Sequence, residues 1–146
     1  MTIHMFGAYF GLTASFFFKP RRAILDEYEQ GKPSYNSRLI AMIGTLFLFV
    51  YFPTFNSALS VGVAQQRAAV NTFYAMTSSA LTAGFISRCS RGGKLDMEVI
   101  MNASLAGGVM IAASVEMIFN PGFAMIVGGF AGISSGLAYI KLTPFC

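Results

Sequence analysis

Long runs without a formal charge alternate along the chain with short polar punctuation. Met1 to Phe18 holds no Lys, Arg, Asp or Glu, and Leu39 to Gln66 is a run of 28 residues equally free of them. This pattern predicts five helices: Met1 to Phe18; one within Leu39 to Gln66, ending near Val61; Ala68 to Ser87; about Val99 to Phe119; and Phe123 to Ile140, after the breaker Asn120-Pro121-Gly122. Spans of 18 to 21 residues reach about 27 to 31 Å, which matches a bilayer's hydrocarbon core. Lipid offers backbone polar groups no partner, so an open-ended crossing segment must be helical. The predicted fold class is therefore all-α, a polytopic transmembrane helix bundle of about five spans, with residues 1–146 as one transmembrane domain.

Composition sharpens this. Of 146 residues, 55% are apolar and only 11% charged, less than half the ~25% usual in soluble domains, and the mean hydropathy is +0.61. These figures exclude a disordered chain, a nucleic-acid-binding tail and a small soluble enzyme. The uncharged start lacks the positive region of a signal peptide and reads as a chain entered in the middle of a helix. At about 20 residues per crossing the length holds five or so helices, few for a self-contained transporter. Cys89 and Cys146 stand far apart without C-x-x-C or Cys/His spacing, so free thiols are expected, with no disulfide framework, metal or cofactor.

Charge adds direction. The connections between spans one and two and between three and four, with the C-terminal tail, carry Lys19, Arg21, Arg22, Lys32, Arg38, Arg88, Arg91, Lys94 and Lys141; the opposite side has Arg67. By the positive-inside rule the chain starts outside and ends in the cytoplasm, as an odd number of spans requires. The pI of about 9.3 then reports cytoplasmic anchoring and contact with the bilayer, not nucleic acid.

Within the spans, small residues recur four apart: Gly7 and Gly11; Ala103 and Gly107; Gly128, Gly132 and Gly136. Such stripes let helix backbones approach closely, either simply as packing or as a bundle around a pathway. His4, the single histidine, shares a helical face with Gly7 and Gly11. On a face turned into protein an ionisable group is a functional candidate, and a neutral imidazole can pass or position a proton-bearing solute with its one donor and one acceptor; a wet helix end is the plainer alternative. Pro53 frees a carbonyl within Tyr51-Phe52-Pro53-Thr54-Phe55-Asn56-Ser57, predicting a kink or local opening beside polar neighbours. An aromatic there could gate a passage or merely fill the helix. Glu116, at the outer end of its span, reads as structural or snorkelling; Asp96 and Glu98 complement the dipole of the fourth helix. Asn102-Ala103-Ser104 fits a glycosylation sequon but falls inside a span. Nothing resembles a phosphate loop, a nucleophile with its base or a carboxylate pair, so no enzyme is expected.

The opening Met1-Thr2-Ile3-His4, with Phe6-Gly7-Ala8-Tyr9-Phe10-Gly11-Leu12, resembles the fifth transmembrane helix of the Rh glycoprotein branch of the ammonium transporter family. Helices six to nine are resembled in order by Ala41 to Leu48, Pro53-Thr54-Phe55-Asn56-Ser57-Ala58, Gln66-Arg67-Ala68 with Asn71-Thr72, Gly93-Lys94-Leu95-Asp96-Met97, Asn102 to Val109 and Leu142-Thr143-Pro144-Phe145. The resemblance implies an interior part of an eleven- or twelve-helix fold. It further implies a plasma-membrane ammonium/ammonia channel, a homotrimer or Rh-type hetero-oligomer, whose narrow apolar pores pass neutral ammonia and in some members carbon dioxide. It places His4 on the first of two paired pore histidines and Phe55 on a phenylalanine that helps close the outer vestibule. Met5 stands where Thr is common and Phe52 where Trp is common. The second histidine, and an acidic residue expected eight positions before His4, fall outside the chain. Two readings follow: part of a conducting Rh-type channel, or a truncated, non-conducting membrane protein serving as a structural or assembly partner.

Overall fold

The computed structural model describes residues 2–18, 34–90 and 92–142. They form five helices: α1 (Thr2–Phe18), α2 (Tyr35–Ser57), α3 (Val63–Ser90), α4 (Met97–Ile111) and α5 (Pro121–Leu142). The chain divides into two units, Met1–Tyr35 and Asn36–Cys146. Lys19, Arg21, Arg22, Lys32, Arg91 and Cys146 lie outside the described residues.

In the first unit α1 is a regular apolar helix whose hydroxyls bond within it: Thr13 donates to the Tyr9 carbonyl at 2.8 Å and Ser15 to that of Leu12 at 2.7 Å. Phe6 and Phe10 stack at 5.9 Å, one turn apart.

In the second unit α3 is the central helix, packed against α4 and α5, which also pack on each other. The chain alternates direction, and side-chain bonds mark both ends. At one end the beginnings of α2 and α4 meet the end of α5: Arg38 Nε lies 3.0 Å from Glu98, and the Tyr139 hydroxyl donates to the same carboxylate. The end of α3 joins them through Ser87, whose hydroxyl accepts from the Asp96 amide at 2.7 Å. At the other end Ser60 donates to Glu116, and Arg67 lies 4.3 Å from the Phe119 ring centroid. Arg67 thus stands opposite Arg38, Arg88, Lys94 and Lys141, as the charge pattern requires.

Helix ends have local causes. Asp96 caps α4 by accepting from the Glu98 amide. Pro121 begins α5 where its missing N–H costs nothing, with the Asn120 side chain accepting from the Gly122 amide at 2.9 Å; the breaker is thus the start of the helix and not its prelude. Gly62, Gly92 and Gly93 bound α3 in left-handed backbone that favours glycine. The helix begins at Val63, five residues before the expected start, because Arg67 marks a boundary of polarity and not of the helix. The second helix ends at Ser57, short of Val61, where Ser60 N–H turns back to the Ser57 carbonyl. Helix α2 runs unbroken past Pro53, which is buried, so of the expected kink or local opening the opening is not found.

The largest departure is α4. Its expected end was Phe119; it stops at Ile111, and residues 112–117 form successive turns. Fifteen helical residues reach only about 22 Å, short of the ~30 Å core. The irregular stretch follows directly, and non-helical backbone at membrane depth is tolerated only where protein satisfies its polar groups.

The glycine stripes find different surroundings. A Cβ at Gly107 would lie 2.5 Å from the Ala75 carbonyl oxygen; one at Gly128 would collide with the same carbonyl, and one at Gly132 with the Ser79 carbonyl and Thr82 hydroxyl. Helices α4 and α5 therefore meet the α3 backbone at Ala75–Ser79 without intervening side chains. A Cβ at Gly7 or Gly11 has no described atom within 4 Å. Much apolar side chain faces outward, including Ile40, Phe47 and Val50 of α2 and Phe123 and Phe130 of α5. Surface of that extent suits lipid, not water.

Candidate functional site

His4 lies in the first turns of α1 and is exposed within its unit. Phe55 lies near the end of α2, 70% exposed, its ring edge-to-face with Phe52 at 6.1 Å. The two candidates belong to different units, and each is placed only within its own.

Around Phe55 the geometry is specific. Phe52, on the same helix, presses its ring into the space left by Gly108: a Cβ there would sit 2.7 Å from Phe52 Cδ1. Asn56 points into the bundle and donates to the Gly108 carbonyl at 3.0 Å and to the Thr72 hydroxyl at 3.3 Å. That carbonyl needs an outside donor because the Ala112 amide bonds to Val109 instead, tightening the last turn of α4. One side chain thus ties α2 to both α3 and α4 and fixes the face on which its neighbour Phe55 projects. Thr54 and Ser57 turn inward on their own helix, bonding the Tyr51 and Thr54 carbonyls.

A polar stripe on α3 serves the same purpose throughout the unit. Asn71, wholly buried, donates to the carbonyls of Val115 and Ile118 at 3.1 and 2.7 Å. Ser79 donates to Ala103 at 2.5 Å, Ser78 to Met125 at 2.7 Å and Thr82 to Gly129 at 3.2 Å. Small hydroxyls and amides here replace the hydrophobic drive that lipid does not supply between helices. Sequence reasoning passed over Ser79 and Thr82. The available signal was hydroxyl-bearing residues recurring three to four apart in an uncharged span.

Glu98 does more than meet a helix dipole: it pairs as an ion with Arg38 of α2 and accepts from the Tyr139 hydroxyl of α5. Glu116 is a hydrogen-bond acceptor for Ser60, which makes it structural as expected. Asn102 donates to the Glu98 carbonyl at 3.0 Å from within α4, so the sequon lies on regular helix. Among the described residues no three His, Cys, Asp or Glu gather closely enough to hold a metal ion.

This bundle, with its apolar exterior and internally bonded backbone, has known counterparts. Residues 1–145 match the model of the Ammonium Transporter Family. The chain belongs to that family. Ammonium transporter Rh type C of Homo sapiens is 48% identical over 147 residues, 99% of this chain and 30% of the relative. The Rattus norvegicus protein of the same name is 49% identical over 148 residues, with 99% of this chain and 29% of the relative covered. A solved structure of Nitrosomonas europaea Rh50, described with the mechanism of conduction by the Rhesus protein family of channels, shares 28% identity at a TM-score of 0.86. It covers 98% of this chain and 37% of its own. The chain therefore spans about 30% of the length of the curated relatives it matches. As an ammonium transporter family member it is an integral membrane protein, and its helices match part of the multi-span helical fold of the Rh50 channel.

Proposed function

We propose that the chain contributes to a transmembrane ammonium/ammonia channel, with neutral ammonia as the permeating species. The observation that carries this is the likeness to the Rh50 channel over 98% of the chain, joined to the family match over residues 1–145. Physics supports the choice of species. An ion entering an apolar lumen loses hydration that the lumen cannot replace, whereas ammonia needs only a few hydrogen bonds. In this reading His4 lines the pore and offers a neutral donor and acceptor to the passing solute, and Phe55 narrows the outer entrance. Residues 1–146 act as one part of the transmembrane domain, in a homotrimer or Rh-type hetero-oligomer at the plasma membrane. Carbon dioxide, small and neutral, is a second candidate permeant.

The test is a graft. This chain replaces the matching segment of human Rh type C, and ammonia-driven pH change is followed in cells carrying equal surface amounts of each variant. The graft should conduct. His4→Ala should slow conduction about tenfold, some 1.4 kcal/mol of barrier, while Phe55→Ala should alter the entry rate. A graft that reaches the surface and passes no ammonia would overturn the proposal.

A further inference from the structure

The first turns of α3 hold two buried polar atoms of opposite kind that find no partner among the described residues: the Nε of Arg67, a donor, and the Oδ1 of Asn71, an acceptor. They stand four residues apart on α3, hence on one face, where side chains are neighbours. Both are held in place. The two hydrogens of Asn71 Nδ2 are spent on the Val115 and Ile118 carbonyls, and turning the amide over would set Oδ1 against those same oxygens. The Arg67 guanidinium lies over the Phe119 ring, 4.3 Å from its centroid, a contact that holds it at this end of the bundle. Phe119, Val115 and Ile118 all belong to the irregular stretch after α4, which roofs this face of α3.

A buried donor and a buried acceptor left apart are costly, and buried polar groups in proteins are met by protein or by ordered water. Whatever joins them must accept from Nε–H and donate to Oδ1. A fully deprotonated anion has no proton for Oδ1; a cation has no lone pair for Nε–H and is repelled by the guanidinium. We propose that a single buried water molecule binds between Arg67 Nε and Asn71 Oδ1 and acts as a structural ligand of the irregular stretch. Internal waters of this kind bridge otherwise unsatisfied groups and are costly to remove. The site stands independently of the transport reading.

The test is nuclear magnetic resonance on the full chain in lipid nanodiscs, nitrogen-labelled at Arg and Asn, in buffer free of ammonia. Magnetisation transfer from water is read at Arg67 Nε–H and at the Asn71 side-chain amide. A long-lived water gives transfer peaks of opposite sign in the laboratory and rotating frames. Such peaks are expected at both groups, with loss of the Arg67 peak in Asn71→Leu. Arg67→Lys keeps the charge but removes Nε, and should abolish the peak at Asn71 while its two carbonyl bonds persist. Peaks of the same sign in both frames, reporting proton exchange alone, would overturn the proposal. So would a direct Arg67-to-Asn71 contact without a water signal.

Discussion

Asn71 stabilises a stretch of backbone that it does not neighbour in sequence. Its amide closes two carbonyls, 44 and 47 residues ahead, that the end of α4 leaves without helical donors. Replacing it by Leu keeps the branched shape of the side chain and strands both carbonyls. Each stranded buried group costs about 1–3 kcal/mol by soluble-protein experience, and interhelical bonds in membranes average nearer ~0.6 kcal/mol. Asn71→Leu should therefore lower unfolding free energy by about 1–3 kcal/mol in a denaturant titration. Asn102→Ala, which removes only an exposed bond within its own helix, should stay within about 0.5 kcal/mol; equal effects for the two would refute the assigned role. None of this was visible in the sequence. Asn71 stood in the sequence only among the residues that carry the resemblance, since a bond across so many residues leaves no local periodicity. His4 stood out as a candidate from its helical face and Phe55 through the resemblance, and the assignment of both still rests on the conduction assay.

At the scale of elements, spacing revealed the glycine stripe of α5 but not what each glycine meets. Gly132 abuts the Ser79 carbonyl and Thr82 hydroxyl, whereas a Cβ at Gly136 would find Ile86 Cγ2 at an ordinary 3.5 Å. Alanine at these two positions should act with opposite signs. Gly132→Ala forces α3 and α5 apart and should destabilise by about 1–3 kcal/mol, the usual cost of overpacking. Gly136→Ala meets no obstacle and should gain up to about 1 kcal/mol of helix propensity. Parallel denaturant titrations decide it, and a destabilised Gly136→Ala would contradict the described contact. Existence and order of the five helices were legible because uncharged runs are long. The end of α4 was not, because Ala112 to Phe119 is nearly as apolar as the helix before it. Helix ends there through contacts from α3, which hydropathy cannot register.

In the second unit as a whole, alternating helices sort charge by end. Arg38, Glu98 and Tyr139 fasten three helices at the end that also carries Arg88, Lys94 and Lys141, and Arg67 marks the other. Arg38 is 52% exposed on its side chain, so the ion pair itself contributes no more than about 1 kcal/mol, and Glu98→Gln should cost no more than that while Tyr139 keeps an acceptor. The larger role of these charges is to choose a side of the membrane, since basic residues near span ends resist translocation. Two positions report it. Cys89 is exposed at the basic end, and Leu59, 97% exposed, lies in the turn at the opposite end. With Cys146→Ser as background, a membrane-impermeant maleimide added to intact cells should label Leu59→Cys and spare Cys89, and permeabilised cells should show both labelled. Labelling of Cys89 from outside would reverse the orientation, and with it the assignment of Phe55 to an outward-facing entrance, because Phe55 sits four residues from Leu59 at the same end of α2.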